Sequence, residues 1–164
     1  MRNRQVVIIG SHDDTGANLQ TARRIGKHVA LKGWVLITGG RKGVMEAASE
    51  GASDEGGTVV GIIPDSVFNT ANPYCSVVIP TGIGYARNSI NVLAADVVIA
   101  IGGLSGTLTE MSYAFQYGKP VICCMFAGGW SSLFAEFPEV RNSAGFHRAE
   151  TLDDVFALLE RLLG

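Results

Sequence analysis

The chain has 164 residues, of which 47% are hydrophobic and 17% charged, and its formal net charge is −2. That composition excludes a disordered chain, and the near-neutral charge speaks against nucleic acid as the main partner. No apolar run reaches membrane-spanning length, because Asp96 interrupts the longest one.

Strand and helix patterns alternate from end to end without a linker, a repeat or a low-complexity segment, which predicts one domain over residues 1–164. Val6 to Ile9 reads as a first strand; the apolar stretch behind the basic start is too short for a signal peptide. A helix follows from about Thr15 to Leu31, ended by Gly33. Trp34 to Ile37 is a second strand, leading into Thr38-Gly39-Gly40 and a helix from Val44 to about Glu55. Thr58 to Ile63 is a third strand, ended by Pro64. An irregular loop then runs to about Tyr74, and Ser76 to Ile79 is a fourth strand. Tyr85 to Ala95 reads as a helix, Val97 to Ile101 as a buried strand, and Thr107 to Tyr117 as a further helix. Val121 to Met125 is a sixth strand. Thr151-Leu-Asp-Asp154 resembles a capping box that opens a final amphipathic helix. This alternation predicts an α/β fold: a doubly wound, mainly parallel sheet with helices on both faces. Ligands bind such sheets at the carboxyl ends of the strands, so the glycine turns after strands one, two and five are expected at one edge.

The cysteines are Cys75, Cys123 and Cys124. They show no metal or redox spacing and are expected to be buried thiols in a reducing, cytoplasmic setting. Cys123 and Cys124 are neighbours on a strand and should point to opposite faces. No metal site is expected, and no cofactor is needed for folding.

The most informative segment is Ile101-Gly-Gly-Leu-Ser-Gly-Thr-Leu-Thr-Glu110, a strand, glycine turn and helix in succession. Backbone N–H groups and a helix dipole converge there, which suits a phosphate or another anion. Gly102, Gly103 and Gly106 are expected to supply unusual φ angles and close backbone approach. Glu110 lies on or near the same side, and a carboxylate beside an anion site calls for a reason such as proton transfer or a bond to a sugar hydroxyl. The first strand ends Gly10-Ser11-His12, not G-x-G-x-x-G, and the second ends without an acid for a ribose. Both features argue against a dehydrogenase. Gly39, Gly40, Arg41, Lys42 and Gly43 lack the ending of a P-loop; they form either a solvated turn or a second anion-contacting loop. Glu46 is either solvent-facing or part of the pocket, and His12 is either polar surface or a ligand contact. Arg87 and Asn88 fall at the same strand edge. His28 and His147 read as structural or exposed. Met111, Tyr113, Phe115 and Tyr117 cannot all face the sheet at helical spacing, which points to an interface and a homodimer or homotetramer.

Three motifs taken together, Thr38 to Glu46, Thr81 to Asn88 and Gly102 to Glu110, resemble one superfamily, often mislabelled as lysine decarboxylases. It includes the LONELY GUY-type nucleoside 5′-monophosphate phosphoribohydrolases and the molybdenum cofactor carrier proteins. The resemblance covers the chain from the first strand to at least Pro120. It implies a Rossmann-like fold, an oligomer and a small phosphorylated ligand over the last glycine turn. The phosphoribohydrolases carry Pro-Gly-Gly-x-Gly-Thr-x-x-Glu and an Arg-Lys pair. This chain keeps Gly106, Thr107 and Glu110, but has Ile101 in place of the proline, one extra residue before Gly106, and Asn88 in place of the lysine. It is more similar to the carrier branch.

The resemblance thus implies a binder of a phosphorylated nucleotide-like or pterin-cofactor ligand, such as the molybdenum cofactor. The alternative is a cytokinin-activating type of hydrolase with Arg87 and Glu110 catalytic; a third reading is a non-catalytic sensor of nucleotide levels. The candidate binding residues are Gly10, Ser11, Gly39, Gly40, Arg41, Gly43, Glu46, Arg87, Asn88, Gly102, Gly103, Leu104, Ser105, Gly106 and Thr107.

Overall fold

A computed structural model describes residues 1–164. In chain order the elements are β1 (Gln5–Gly10), α1 (Gly16–Leu31), β2 (Val35–Thr38), α2 (Val44–Ser53), β3 (Val59–Ile63) and β4 (Val77–Pro80). They continue with α3 (Arg87–Leu93), β5 (Val97–Ile101), α4 (Ser105–Gln116), β6 (Val121–Cys124), α5 (Gly129–Leu133), α6 (Pro138–Arg141), β7 (Phe146–Ala149) and α7 (Leu152–Leu163). The seven strands form one sheet in the order β4-β3-β2-β1-β5-β6-β7. Every pairing is parallel. The fold is the expected Rossmann-like α/β sheet. Its strand order reverses between β1 and β5, where Gly10 pairs with Ile101, and this is the switch point at which such sheets open a crevice.

Strict alternation along the strands divides the core in two. Val6, Ile8, Leu36, Val97, Ile99 and Ile101 face α1, α2 and α7, whereas Val7, Ile9, Ile37, Val98 and Ala100 face α3, α4 and the segment around Ala135. Cys124 lies in the first cluster and Cys123 in the second, as neighbours on a strand must. Cys75 departs from expectation: it is only half-buried. Thr15 caps α1 through its side chain, which accepts from Asn18 N–H at 3.4 Å. The capping box of α7 is complete, with Asp154 N–H donating to Thr151 Oγ1 (3.2 Å) and Thr151 N–H to Asp154 Oδ2 (2.8 Å). No helix is long and apolar enough to cross a membrane.

Three stretches depart most from the sequence reading, and other boundaries shift by a residue or two. The stretch expected as one helix from Tyr85 to Ala95 is a 3₁₀ turn (Gly84–Ala86) followed by the shorter α3. Helix α4 begins at Ser105, two residues earlier than expected, with extended Leu104 as its N-cap. The segment from Gly129 to Ala149 holds two short helices and the edge strand β7, none of which the sequence pattern had signalled. On α4 the apolar side chains divide as helical spacing requires. Met111 is fully buried, whereas Phe115 and Tyr117 are exposed.

Helices α1 and α2 cross through glycine. A Cβ on Gly26 would sit 2.0 Å from the carbonyl oxygen of Ala48, and one on Gly51 would sit 2.0 Å from that of Arg23. Neither obstacle is a flexible side chain, so any larger residue must push the helices apart. We expect Gly26→Ala and Gly51→Ala each to lower stability by about 1–3 kcal/mol or more. Denaturant titration checks this; unchanged midpoints would show that the helices can separate without cost.

Candidate functional site

The C-terminal ends of β1, β2, β3 and β5 surround a cleft of about 730 Å³. Its walls include Gly10 and Ser11 from β1 and the turn after it, Arg41 and Glu46 from the β2–α2 side, and Arg87 and Asn88 from α3. Leu104, Ser105, Gly106, Thr107 and Glu110 close it from the β5–α4 side. The glycine turns after strands one, two and five therefore do gather at one edge. His12 and Lys42 also line the cleft and are exposed.

Five expected binding residues do not line this cleft. Gly43 opens instead onto an adjoining hollow of about 510 Å³, shared with His12, Lys42 and Glu46. Gly39, Gly40, Gly102 and Gly103 are glycine for reasons of packing. A Cβ on Gly39 would lie 2.8 Å from the Arg87 guanidinium, and one on Gly40 would lie 2.5 Å from Ile63. Gly102 and Gly103 have φ of 57° and 97°. A Cβ on Gly103 would come within 2.2 Å of Thr107 Oγ1. Gly106 corrects the expectation of an unusual φ: it lies inside α4 with an ordinary backbone, and a Cβ there would meet no atom within 4 Å. Its contribution is open space beside the helix start.

The Gly102-Gly103 turn is held from behind by α5. Ser131 Oγ accepts from Gly102 N–H (2.9 Å), while Ser131 N–H donates to Gly102 C=O (2.9 Å) and Trp130 N–H to Gly103 C=O (3.2 Å). Ser131 Oγ in turn lies 2.9 Å from the carbonyl of Cys124, to which it can donate. With the turn fixed, the first bond within α4 runs from Leu108 N–H to Leu104 C=O at 3.0 Å. The N–H groups of Ser105, Gly106 and Thr107 thus have no partner in the helix, at its positive end and at the cleft wall.

Behind that helix start lie two buried ionisable side chains. Arg87 and Glu110 are 8% and 6% exposed, and Arg87 Nη1 is 3.8 Å from Glu110 Oε1. The Arg87 guanidinium also donates to Asn88 Oδ1 and to the carbonyl of Gly39 (3.3 Å), while its Nε has no partner. Asn91, fully buried, donates from Nδ2 to Glu110 Oε1 at 3.1 Å. Burial pushes the Glu110 carboxyl up to about 7, against the opposing pull of the Asn91 hydrogen bond and the Arg87 charge. Burial likewise lowers the Arg87 guanidinium from its usual value.

The far wall comes from the loop between β3 and β4, which the sequence left unassigned: Asp65, Asn69, Thr70, Asn72 and Pro73 line the cleft. Asp65 anchors this wall by pairing with Arg41 at 2.5 Å and accepting from Thr70 Oγ1 at 2.9 Å. Asn72 Nδ2 donates to the carbonyl of Arg41 at 3.0 Å. The only advance signal was the polar, Pro-punctuated composition of the loop. Tyr85, expected as the start of a helix, also lines the cleft and is 89% exposed.

A parallel sheet with its crevice at the switch point, and a helix start with unpaired N–H groups in the crevice wall, defines an α/β protein of the Rossmann-like binding class. Within that class, the chain belongs to the SLOG cluster4 family, whose family model matches residues 3–155. Its fold superposes on the molybdenum cofactor binding protein from the phototrophic bacterium Rippkaea orientalis with a TM-score of 0.88. Identity is 36%, and the match covers 100% of this chain and 99% of that one. The molybdenum cofactor carrier protein of Chlamydomonas reinhardtii gives a TM-score of 0.87 at 30% identity, covering 99% of both chains. The cytokinin riboside 5′-monophosphate phosphoribohydrolase of Mycobacterium tuberculosis is 29% identical over 113 residues, 63% of this chain and 60% of that protein.

The buried carboxyl has a consequence for stability. Between pH 4.5, its ordinary value, and about 7, folded Glu110 keeps a proton that the unfolded chain releases. Its contribution to stability therefore falls as pH rises across that window, by up to about 1.4 kcal/mol per pH unit. We expect the stability difference between wild type and Glu110→Gln to show this slope in denaturant titrations from pH 4 to pH 8. A difference constant with pH would mean that Glu110 ionises normally in the fold.

Proposed function

We propose that this protein binds and carries a small phosphorylated ligand with a flat heterocyclic ring, of the pterin-cofactor type, with the molybdenum cofactor as its leading identity. The observation that carries this reading is the helix start at Ser105, Gly106 and Thr107, whose N–H groups have no helix partner, in the cleft wall with the buried Arg87 guanidinium behind it. A phosphate at that position would be met by backbone donors, a helix dipole and a cation. The polar wall of Asp65, Asn69, Thr70 and Asn72 offers both donors and acceptors to the edge of a heterocycle. Likeness over the whole chain to proteins described as binding or carrying the molybdenum cofactor supports the same ligand class. We further propose that residues 1–164 act as one binding unit in the cytoplasm.

Native mass spectrometry of freshly purified protein tests this reading. We expect a non-covalent adduct with the mass of a phosphorylated pterin or nucleotide. Gly106→Val should lose the adduct while keeping its folded circular dichroism spectrum, since the added side chain enters only the open space of the cleft. An adduct of unchanged occupancy in Gly106→Val would overturn the phosphate placement. The alternative, hydrolysis of a nucleoside 5′-monophosphate, draws on the Mycobacterium tuberculosis relative and on the Arg87–Glu110 pair. Multiple turnovers releasing ribose 5-phosphate, abolished in Glu110→Gln, would replace the carrier reading with that one.

The same reading includes an oligomer. Ile90 and Leu93 on α3 and Phe115 and Tyr117 on α4 leave apolar surface exposed on two neighbouring helices. Light scattering at micromolar concentration should give the mass of a dimer or tetramer, and a monomer mass would refute this.

A further inference from the structure

We infer that Asn91 is a positioning residue of the cleft: its amide occupies Oε1 of Glu110, on the side that faces Arg87, so that Oε2 is left facing the cleft as the atom that holds a proton and donates it to a hydrogen-bond acceptor on the ligand. This deepens the binding reading above and rests on it.

The geometry is asymmetric. Within the chain, Oε1 accepts a hydrogen bond from the Asn91 amide at 3.1 Å and lies at ion-pair distance, 3.8 Å, from the Arg87 guanidinium. Oε2 has no hydrogen-bond partner in the chain, yet it is not among the buried polar atoms left without one, so it reaches the open space that Glu110 lines. A neutral carboxyl has one carbonyl-like oxygen, which accepts, and one hydroxyl oxygen, which donates. The Asn91 hydrogen bond, with the Arg87 charge on the same side, fixes Oε1 as the acceptor, and the proton goes to Oε2. Asn91 is fully buried and its Oδ1 has no partner, so its amide is turned toward Glu110 without a second bond to explain its orientation.

The charges around the cleft agree with this assignment. Besides Arg87 and Glu110, the titratable or charged groups that line it are His12, Arg41, Lys42, Glu46, Asp65 and Tyr85. Of the cations only Arg87 forms an ion pair with Glu110, and Asp65 is already paired with Arg41. With Glu110 neutral, the Arg87 charge is uncompensated beside the free N–H groups of α4, which favours an anionic ligand. The ligand chemistry implied is a phosphate joined to a ring bearing a carbonyl oxygen or an unprotonated nitrogen within reach of Oε2. A group that can only donate, such as an ammonium, would gain nothing from the Oε2 proton and would face the Arg87 charge.

Infrared difference spectroscopy of the ligand-free full chain, wild type minus Glu110→Gln, reads the proton directly. We expect a protonated-carboxyl C=O band at pH 6 that disappears as pH rises through about 7. In Asn91→Leu that band should move to higher frequency, because its carbonyl oxygen has lost a donor, and its midpoint should rise, because the Asn91 hydrogen bond that lowered it is gone. Asn91→Asp keeps the shape of the side chain and guards against a folding defect. Its added carboxyl should split the titration into two steps. No carboxyl band at pH 6, or a band whose frequency and midpoint stay put in both Asn91 variants, would overturn the assignment. Native mass spectrometry of the same variants separates the two readings: an adduct retained alongside an unshifted band leaves the carrier standing without Asn91 in this role.

Discussion

Two ionisable side chains buried under the carboxyl edge of the sheet, Arg87 and Glu110, set the conditions for the rest of the site. Removing either charge from water is expensive, and a single contact at 3.8 Å does not offset that cost. The surroundings show how it is shared. The guanidinium is spread over Asn88 and the carbonyl of Gly39, the carboxyl takes the Asn91 amide, and burial raises the carboxyl to where it can be neutral near pH 7. Gly39 belongs to this arrangement because a side chain there would displace the guanidinium. A glycine that looked like part of an anion loop is the floor on which the arginine rests.

The second constraint is mechanical. The cleft walls are turns, and each turn is fixed by something outside the cleft. The Gly102-Gly103 turn is gripped by Ser131 and Trp130 at the start of α5. The β2–α2 turn is tied to the far loop by the Arg41–Asp65 pair and by Asn72. The contact between α1 and α2, which passes through Gly26 and Gly51, sets the spacing between the turn after β1 and the turn after β2. The site is thus held in place before any ligand arrives, which lowers the ordering cost of binding.

How much of this could be read in the sequence follows from how strongly each feature is written into side-chain pattern. The buried strands β1 and β5 are continuous apolar runs, and parallel sheets require such runs, so strand existence, order of appearance and fold class were legible. The edge strand β7 reads Phe-His-Arg-Ala with only Ala149 fully buried, so it carries no such signal. The short helices α5 and α6 fall below the length at which helical period shows. The glycines were visible but their purposes were not. Pattern alone does not separate a glycine that lines a pocket, such as Gly106, from one that lets Arg87 or Thr107 pack, such as Gly39 or Gly103. The loop from Asp65 to Pro73 was unreadable for a different reason. Its place opposite α4 is set by the sheet order, which puts β3 and β5 on opposite sides of β1 and β2.

The sign of the cleft's charge follows from these arrangements together. Its formal cations, Arg41, Lys42 and Arg87, are matched one for one by Glu46, Asp65 and Glu110 when all three acids are ionised. An anion would then find no net attraction from side chains. Two things tip the balance, and neither appears in a count of charged residues. One is the partial positive charge of the α4 N-terminus, whose Ser105, Gly106 and Thr107 N–H groups are unpaired within the helix. The other is the burial that keeps Glu110 neutral through the acidic side of pH 7, leaving Arg87 in excess. The carboxyl that looked out of place beside an anion site is compatible with it because the fold removes its charge, and the proton that does so gives the site a donor as well.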